Sequence, residues 1–164
     1  DSIGVILVNS NFSKLSAADI AQQQAWYEGA LQSMDKDPGV KAVIVTCHHA
    51  PYTNSKLVGS SKPVQEHFVP AFLKSRKALL FITGHSHTFE HFKVSGKDFL
   101  VIGGGGGLHQ PLKSRLEDTA VNYKPMFHYL TVERTTKTLL VLSHFLKSDF
   151  SGFDKSYTFA APIP

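Results

Sequence analysis

The sequence predicts an α/β fold with a parallel first half and an antiparallel second half. Three observations carry this. The runs Ile3–Val8, Ala42–Cys47 and Ala78–Thr83 are short, continuous and apolar, as strands buried on both faces are. Helix-length segments lie between them, giving β-α-β-α-β with right-handed crossovers. Beyond His87 the apolar runs are separated by turn-length intervals, as in hairpins.

Each element has its own signal. Ile3–Val8 reads as the first strand. Ser16, with Asp19 three residues on, predicts a capped helix start. Ile20, Tyr27, Leu31 and Met34 keep helical spacing, Trp26 is expected as an apolar anchor, and Pro38-Gly39 stops the helix. After the Ala42–Cys47 strand comes a polar loop from Tyr52 to Lys62. Pro63 suits a first helical position, and Pro70 kinks or splits the helix running to Leu73. The Ala78–Thr83 strand follows. Phe89–Val94 and Asp98–Ile102 flank a Ser95-Gly96-Lys97 turn, and 108–124 reads as loop. Met126–Arg134 and Thr138–Phe145 flank Thr135-Thr136-Lys137, and Tyr157–Ala160 is expected as a short last strand.

The chain of 164 residues is enough for one domain, and 42% hydrophobic with 18% charged residues is a globular composition. No stretch approaches membrane-spanning length, so no membrane partner is expected. The net charge of +4 comes from scattered Lys and Arg without the dense, aromatic-interleaved stripe of a nucleic-acid surface. Such a charge reads as a solvated surface, with attraction of an anionic substrate such as a phosphate as the alternative. Cys47 is the single cysteine, which excludes an internal disulfide.

Two strands deliver histidine at their carboxyl ends. Ala42–Cys47 runs into His48-His49-Ala50-Pro51-Tyr52, and Ala78–Thr83 into Gly84-His85-Ser86-His87. Ligands of open α/β sheets gather outside the strand carboxyl ends, and neutral imidazole is a common metal ligand. The pair of motifs therefore predicts a metal site. The glycine run Gly103–Gly107 lacks the Lys-Ser/Thr of a phosphate loop and opens no helix. It reads as a loop needing close backbone approach or positive φ, with a phosphate cradle as the alternative. His67, His128 and His144 lie on apolar-patterned segments and read as structural; His91 reads as a surface strand histidine, with a place on the site rim as the alternative, and His109 follows the glycine run, with approach to the site as its lesser reading.

These residues resemble the carboxyl-terminal half of a calcineurin-like metallophosphoesterase, in its purple-acid-phosphatase-like branch. Leu7-Val8-Asn9-Ser10-Asn11 is similar to that family's Leu-Asp-Ser-Asn strand end, and Gln24-Ala25-Trp26 to its Gln-x-x-Trp-Leu helix. His48-His49-Ala50-Pro51-Tyr52 resembles its His-His-Pro-Pro-Tyr loop. Gly84-His85-Ser86-His87-Thr88-Phe89-Glu90-His91 resembles Gly-His-x-His-x-Tyr-Glu-Arg, and the glycine run its Gly-Gly-x-Gly segment. The resemblance implies a part of a four-layer α-β-β-α sandwich. It implies His48 and His85 as ligands of one metal and His87 as ligand of the other. Tyr52 and Asn54, near these positions, are read as contacts to substrate, with ordinary loop residues as the alternative. His49 stays open as the alternative to His48, because Ala50 stands where the family has Pro.

The implied activity is hydrolysis of phosphate esters at two divalent or trivalent ions (Fe, Zn or Mn) about 3.5–4 Å apart, which activate water and take up charge. The family's Asp-x-His, Gly-Asp-x-x-Asp/Tyr and Gly-Asn-His-Glu/Asp motifs, which supply the bridging carboxylate and most ligands of the first metal, are absent. The expectation is therefore a single domain over 1–164, the carboxyl-terminal portion of a metallophosphoesterase domain. Its partner is an N-terminal half that carries the catalytic residues. The chain alone is expected to be inactive and to self-associate through an uncovered sheet around Ile3–Val8. The rival expectation is a non-catalytic binding module that kept the fold and lost its metals.

Overall fold

The computed structural model describes residues 2–164. A five-stranded sheet is built from β1 (Ile3–Leu7), β2 (Ala42–Cys47), β3 (Ala78–Thr83), β4 (Phe89–Val94) and β5 (Lys97–Ile102), in the order β1-β2-β3-β5-β4. The first three are parallel, and β5 also runs parallel to β3. Only β4 is antiparallel, at the edge beside β5. A second, three-stranded antiparallel sheet follows from β6 (His128–Arg134), β7 (Thr138–Leu146) and β8 (Phe153–Pro162). The last strand, ten residues long, exceeds the short run its sequence suggests, because pairing along β7 carries polar residues such as Lys155 into the ladder.

Helix α1 (Ala17–Lys36) starts at a reciprocal capping box: Ser16 Oγ accepts from Asp19 N–H, and the Asp19 carboxylate accepts from Ser16 N–H. Its buried residues are Tyr27 and Leu31, four apart. Trp26, one step around the helix, is 54% exposed and is not the anchor its size suggests. Tyr27 takes that place, its hydroxyl donating to Phe68 O at 3.1 Å. The second helical segment is split into α2 (Lys62–His67) and α3 (Val69–Lys74), with Phe68 between them. Pro70 enters as a first-turn residue of α3, where its missing N–H costs nothing.

The helices cover one face of the large sheet and enclose a core of Ile6, Val45, Phe68, Phe72, Phe81 and Phe99, among others. The small sheet packs on the opposite face, where Ala42, Leu80 and Leu100 meet Leu139, Val141 and Ala161. That cover does not reach the free edge. On β1, Ile6 is buried, but the alternate residues Val5 and Leu7 are 54% and 70% exposed. The turn between β4 and β5 uses Ser95 and Gly96, both at positive φ, the two-residue solution that matches strand twist. Lys97 begins β5 and reaches under α3. Its ammonium donates to the carbonyls of Phe72, Ser75 and Ala78, tying the helix end to β3.

Candidate metal centre

The carboxyl ends of β2 and β3 lie side by side, since Cys47 pairs with Thr83, and the loops beyond them are joined by Gly84 N–H donating to His48 O. This brings His48, His49 and His85 together. One ligand atom from each lies within 4.8 Å of the others, and His48 Nε2 stands 3.0 Å from His85 Nδ1. Among the described residues this is the one such group of three or more His, Cys, Asp or Glu side chains, and it contains no carboxylate.

The local chain conformation serves the cluster. His85 has φ +64°, a conformation that disfavours a side chain with Cβ and that is held by its loop: Ser86 N–H donates to Gly84 O and Thr88 N–H to Ser86 O. Ser10, just past β1, holds His49. Its hydroxyl accepts from the His49 N–H at 3.0 Å and is 2.9 Å from Nδ1. Nε2 is then the His49 nitrogen left for a ligand, and the hydroxyl orients the ring as outer partners of metal-binding histidines do. Burial, then the His48 ring, pulls His49 below the ordinary imidazole range; burial and the neighbouring histidines do the same to His85. Both rings are therefore neutral at neutral pH, the form that offers a lone pair to a cation.

His87 stands apart from this trio. Its Nδ1 is 3.2 Å from Leu108 O, so Nδ1–H donates there and Nε2 is free. It lines a cavity of about 440 Å³ together with His48, His85, Gly103 and Gly105–Gly107. Tyr52 and Asn54, expected toward substrate, are engaged elsewhere. The Tyr52 ring packs edge-on to Phe99 at 5.0 Å, inside the helix-side core. Asn54 is buried and pins the loop at 115–116: its Oδ1 accepts from Arg115 N–H and Leu116 N–H, and its Nδ2 donates to Leu116 O. Neither lines the histidine cavity.

Sequence reading left the role of His49 open, and nothing in it pointed to Ser10 as its partner. It also missed two buried networks behind the site. Glu90 is fully buried and accepts from Thr53 Oγ1, Thr88 Oγ1 and Asn54 N–H, each at 2.7 Å. His91, read as a surface strand histidine with the site rim as the alternative, is instead buried between Asp98 and Tyr157, at 2.8 and 2.7 Å from its two ring nitrogens.

No protein-family model and no curated protein matches the sequence. Solved structures do. GAP50, described as the anchor in the inner membrane complex of Plasmodium, superposes with a TM-score of 0.77 at 16% identity, over 99% of this chain and 50% of that one. A dimetal phosphatase from Danio rerio gives 0.53 at 14% identity, over 87% of this chain and 38% of that one. The fold is thus the metallophosphoesterase-like α/β arrangement, and the chain spans half or less of the length of these matched structures.

Proposed function

We propose that this chain is the histidine-bearing portion of a metal-dependent phosphoesterase, in which His48, His49 and His85 hold one divalent ion and His87 faces a second. One observation carries the reading: three imidazoles whose ligand atoms lie within 4.8 Å of each other, at the carboxyl ends of two parallel strands. The donor set fits a borderline cation such as Zn²⁺, which takes imidazole nitrogens at about 2.0–2.1 Å and leaves a fourth position for water or substrate. A bound ion supplies Lewis acidity toward a phosphoryl oxygen. The chain's own residues keep two of the rings neutral, fix the His49 orientation through Ser10, and hold His85 in place through its loop. Ions held close together need carboxylates, and the cluster has none. The reading therefore assigns hydrolysis to the whole protein, with the carboxylates on chain that covers the exposed side of β1.

The test is calorimetric titration of the chain with Zn²⁺ and Mn²⁺. One ion per chain is expected, with affinity lost in His49→Ala and His85→Ala and reduced less in His87→Ala. Aryl phosphate hydrolysis by this chain is expected to stay at background with either metal; turnover abolished by His85→Ala would show that the carboxylates are dispensable. A second reading, a binding module on the same fold, is supported by the carboxylate-free cluster and by the description of the matched GAP50 as an anchor. Absence of any metal binding would decide for it.

A further inference from the structure

Two loops, one beyond β2 and one beyond β5, are stitched into a single surface. Lys56 N–H donates to Pro111 O at 2.8 Å and Lys113 N–H to Asn54 O at 2.7 Å, with Ser55 bridged to Leu112 between them. Asn54 Oδ1 then accepts the N–H groups of Arg115 and Leu116. Segments 56–62 and 108–116, far apart in sequence, are thereby held side by side.

They hold two kinds of side chain out to solvent. Leu57 is 68% exposed, Leu108 80% and Leu116 40%. Lys56, Lys62, Lys113 and Arg115 are exposed beside them, and among the described residues none of these cations forms a salt bridge. Neither segment contains an acidic residue. The cations look scattered along the sequence, and the long-range stitching is what gathers them. Exposed leucines interleaved with free cations fit a surface that is apolar beneath and anionic on top, which is the interface of an anionic bilayer. An acidic peptide matches the cations and leaves the leucines without a partner. Contact of this kind lies on the membrane and needs no spanning segment, and no described helix is long and apolar enough to span one.

We propose that segments 56–62 and 108–116 dock this chain on an anionic lipid surface, with the leucines entering the headgroup layer and the cations meeting the lipid anions. Leu108 directly follows Gly107 on the wall of the histidine cavity, and its carbonyl accepts from His87. Docking therefore brings that cavity beside the bilayer. The docking itself rests on the two loops and not on the phosphoesterase reading.

The test is cosedimentation of the chain with vesicles of phosphatidylcholine, alone and mixed with phosphatidylserine. Binding is expected to the mixed vesicles only, and to fall steeply with salt. Lys113→Ala and Arg115→Ala should each weaken it by about fivefold, as loss of one charge near an anionic surface does. Leu57→Ser and Leu108→Ser should each weaken it by about tenfold at unchanged charge. Phe150→Ser, at an exposed apolar residue between β7 and β8, should leave it unchanged. All these side chains are exposed, so the variants leave the core intact. Absence of vesicle binding, or equal binding to phosphatidylcholine alone, overturns the docking. So does undiminished binding in the leucine variants with loss in the cation variants, which would assign the surface to an acidic macromolecule. His85→Ala should bind vesicles as the parent chain does. Zinc binding without vesicle binding removes the docking and leaves the metal reading standing; vesicle binding without zinc binding does the reverse.

Discussion

Two histidine-centred networks stand in this molecule, and they are built on opposite terms. In the His91 network, both ring nitrogens are used: Nε2 on the Asp98 carboxylate, which also receives the Lys93 ammonium at 3.0 Å, and Nδ1 on the Tyr157 hydroxyl. Its members come from β4, β5 and β8, so it joins the large sheet to the small one, and His91 and Asp98 are buried. In the His48–His49–His85 cluster the rings meet one another with no carboxylate between them, on loops at the sheet end, with His48 exposed. Burial with complete pairing marks a structural group; ring nitrogens gathered in the open with acceptor capacity left over mark a site.

The sharpest way to break this contrast is to remove a member of the buried network. His91→Ala leaves Asp98 buried with only Lys93 and leaves the Tyr157 hydroxyl with Thr119 alone. A loss of about 3–5 kcal/mol in urea unfolding is expected, as for other broken buried pairs. A change below about 1 kcal/mol, the range of an exposed pair, would mean the network contributes little to joining the sheets.

A third histidine gives a pH-dependent test. His128, buried on β6, is held neutral: burial lowers it to about 4, and its Nε2 accepts the Gly104 N–H at 3.3 Å. With the folded value below the unfolded value of about 6.5, the unfolded chain binds more protons between the two. Its stabilisation is thus complete above about pH 6.5 and is lost as pH falls toward about 4, by roughly 3 kcal/mol over that window. His128→Leu should flatten this part of the stability profile. An unchanged slope would place the acid sensitivity in other groups.

Much of this was legible from sequence, and the limits are physical. The parallel strands, the capped helix and the first hairpin follow from periodicity, caps and turn residues, which are local. So does the delivery of histidines to one sheet end, because strand direction fixes it. The contacts of Tyr52 and Asn54 were not legible, since they depend on where β5 and the loop at 115–116 arrive from afar in sequence. Nor was the exposure of Trp26: α1 presents Tyr27 and Leu31 to the core, and a shift of one residue turns a side chain by about 100°. The pairing of His91 with Asp98 spans a hairpin, but its completion by Tyr157 comes from 66 residues away.

Uncovered surface gives a third, weaker handle. Val5 and Leu7 are exposed on an edge strand, and a groove of about 390 Å³ runs from Leu7 past Ile82 and Ile102 to His48. Exposed apolar strand edges invite pairing with another chain. Sedimentation of this chain is expected to show concentration-dependent association, reduced by Leu7→Lys. A monomer at high concentration would separate the exposure of this face from any need for a partner.

The smallest expected stability effect is also the most telling about the site. His85 has φ +64° and carries a side chain whose nearest polar neighbour is another histidine. A non-glycine residue in that region costs about 1–2 kcal/mol, partly offset in glycine by the entropy of a freer unfolded chain. His85→Gly should therefore leave stability unchanged or raise it by up to about 1 kcal/mol, while calorimetric zinc binding falls sharply. A residue kept for packing does the opposite, losing stability on truncation. If His85→Gly instead destabilises the chain by more than about 2 kcal/mol, the imidazole is part of the scaffold. The contrast with His91 would then fail, because both histidines would be held for the same reason.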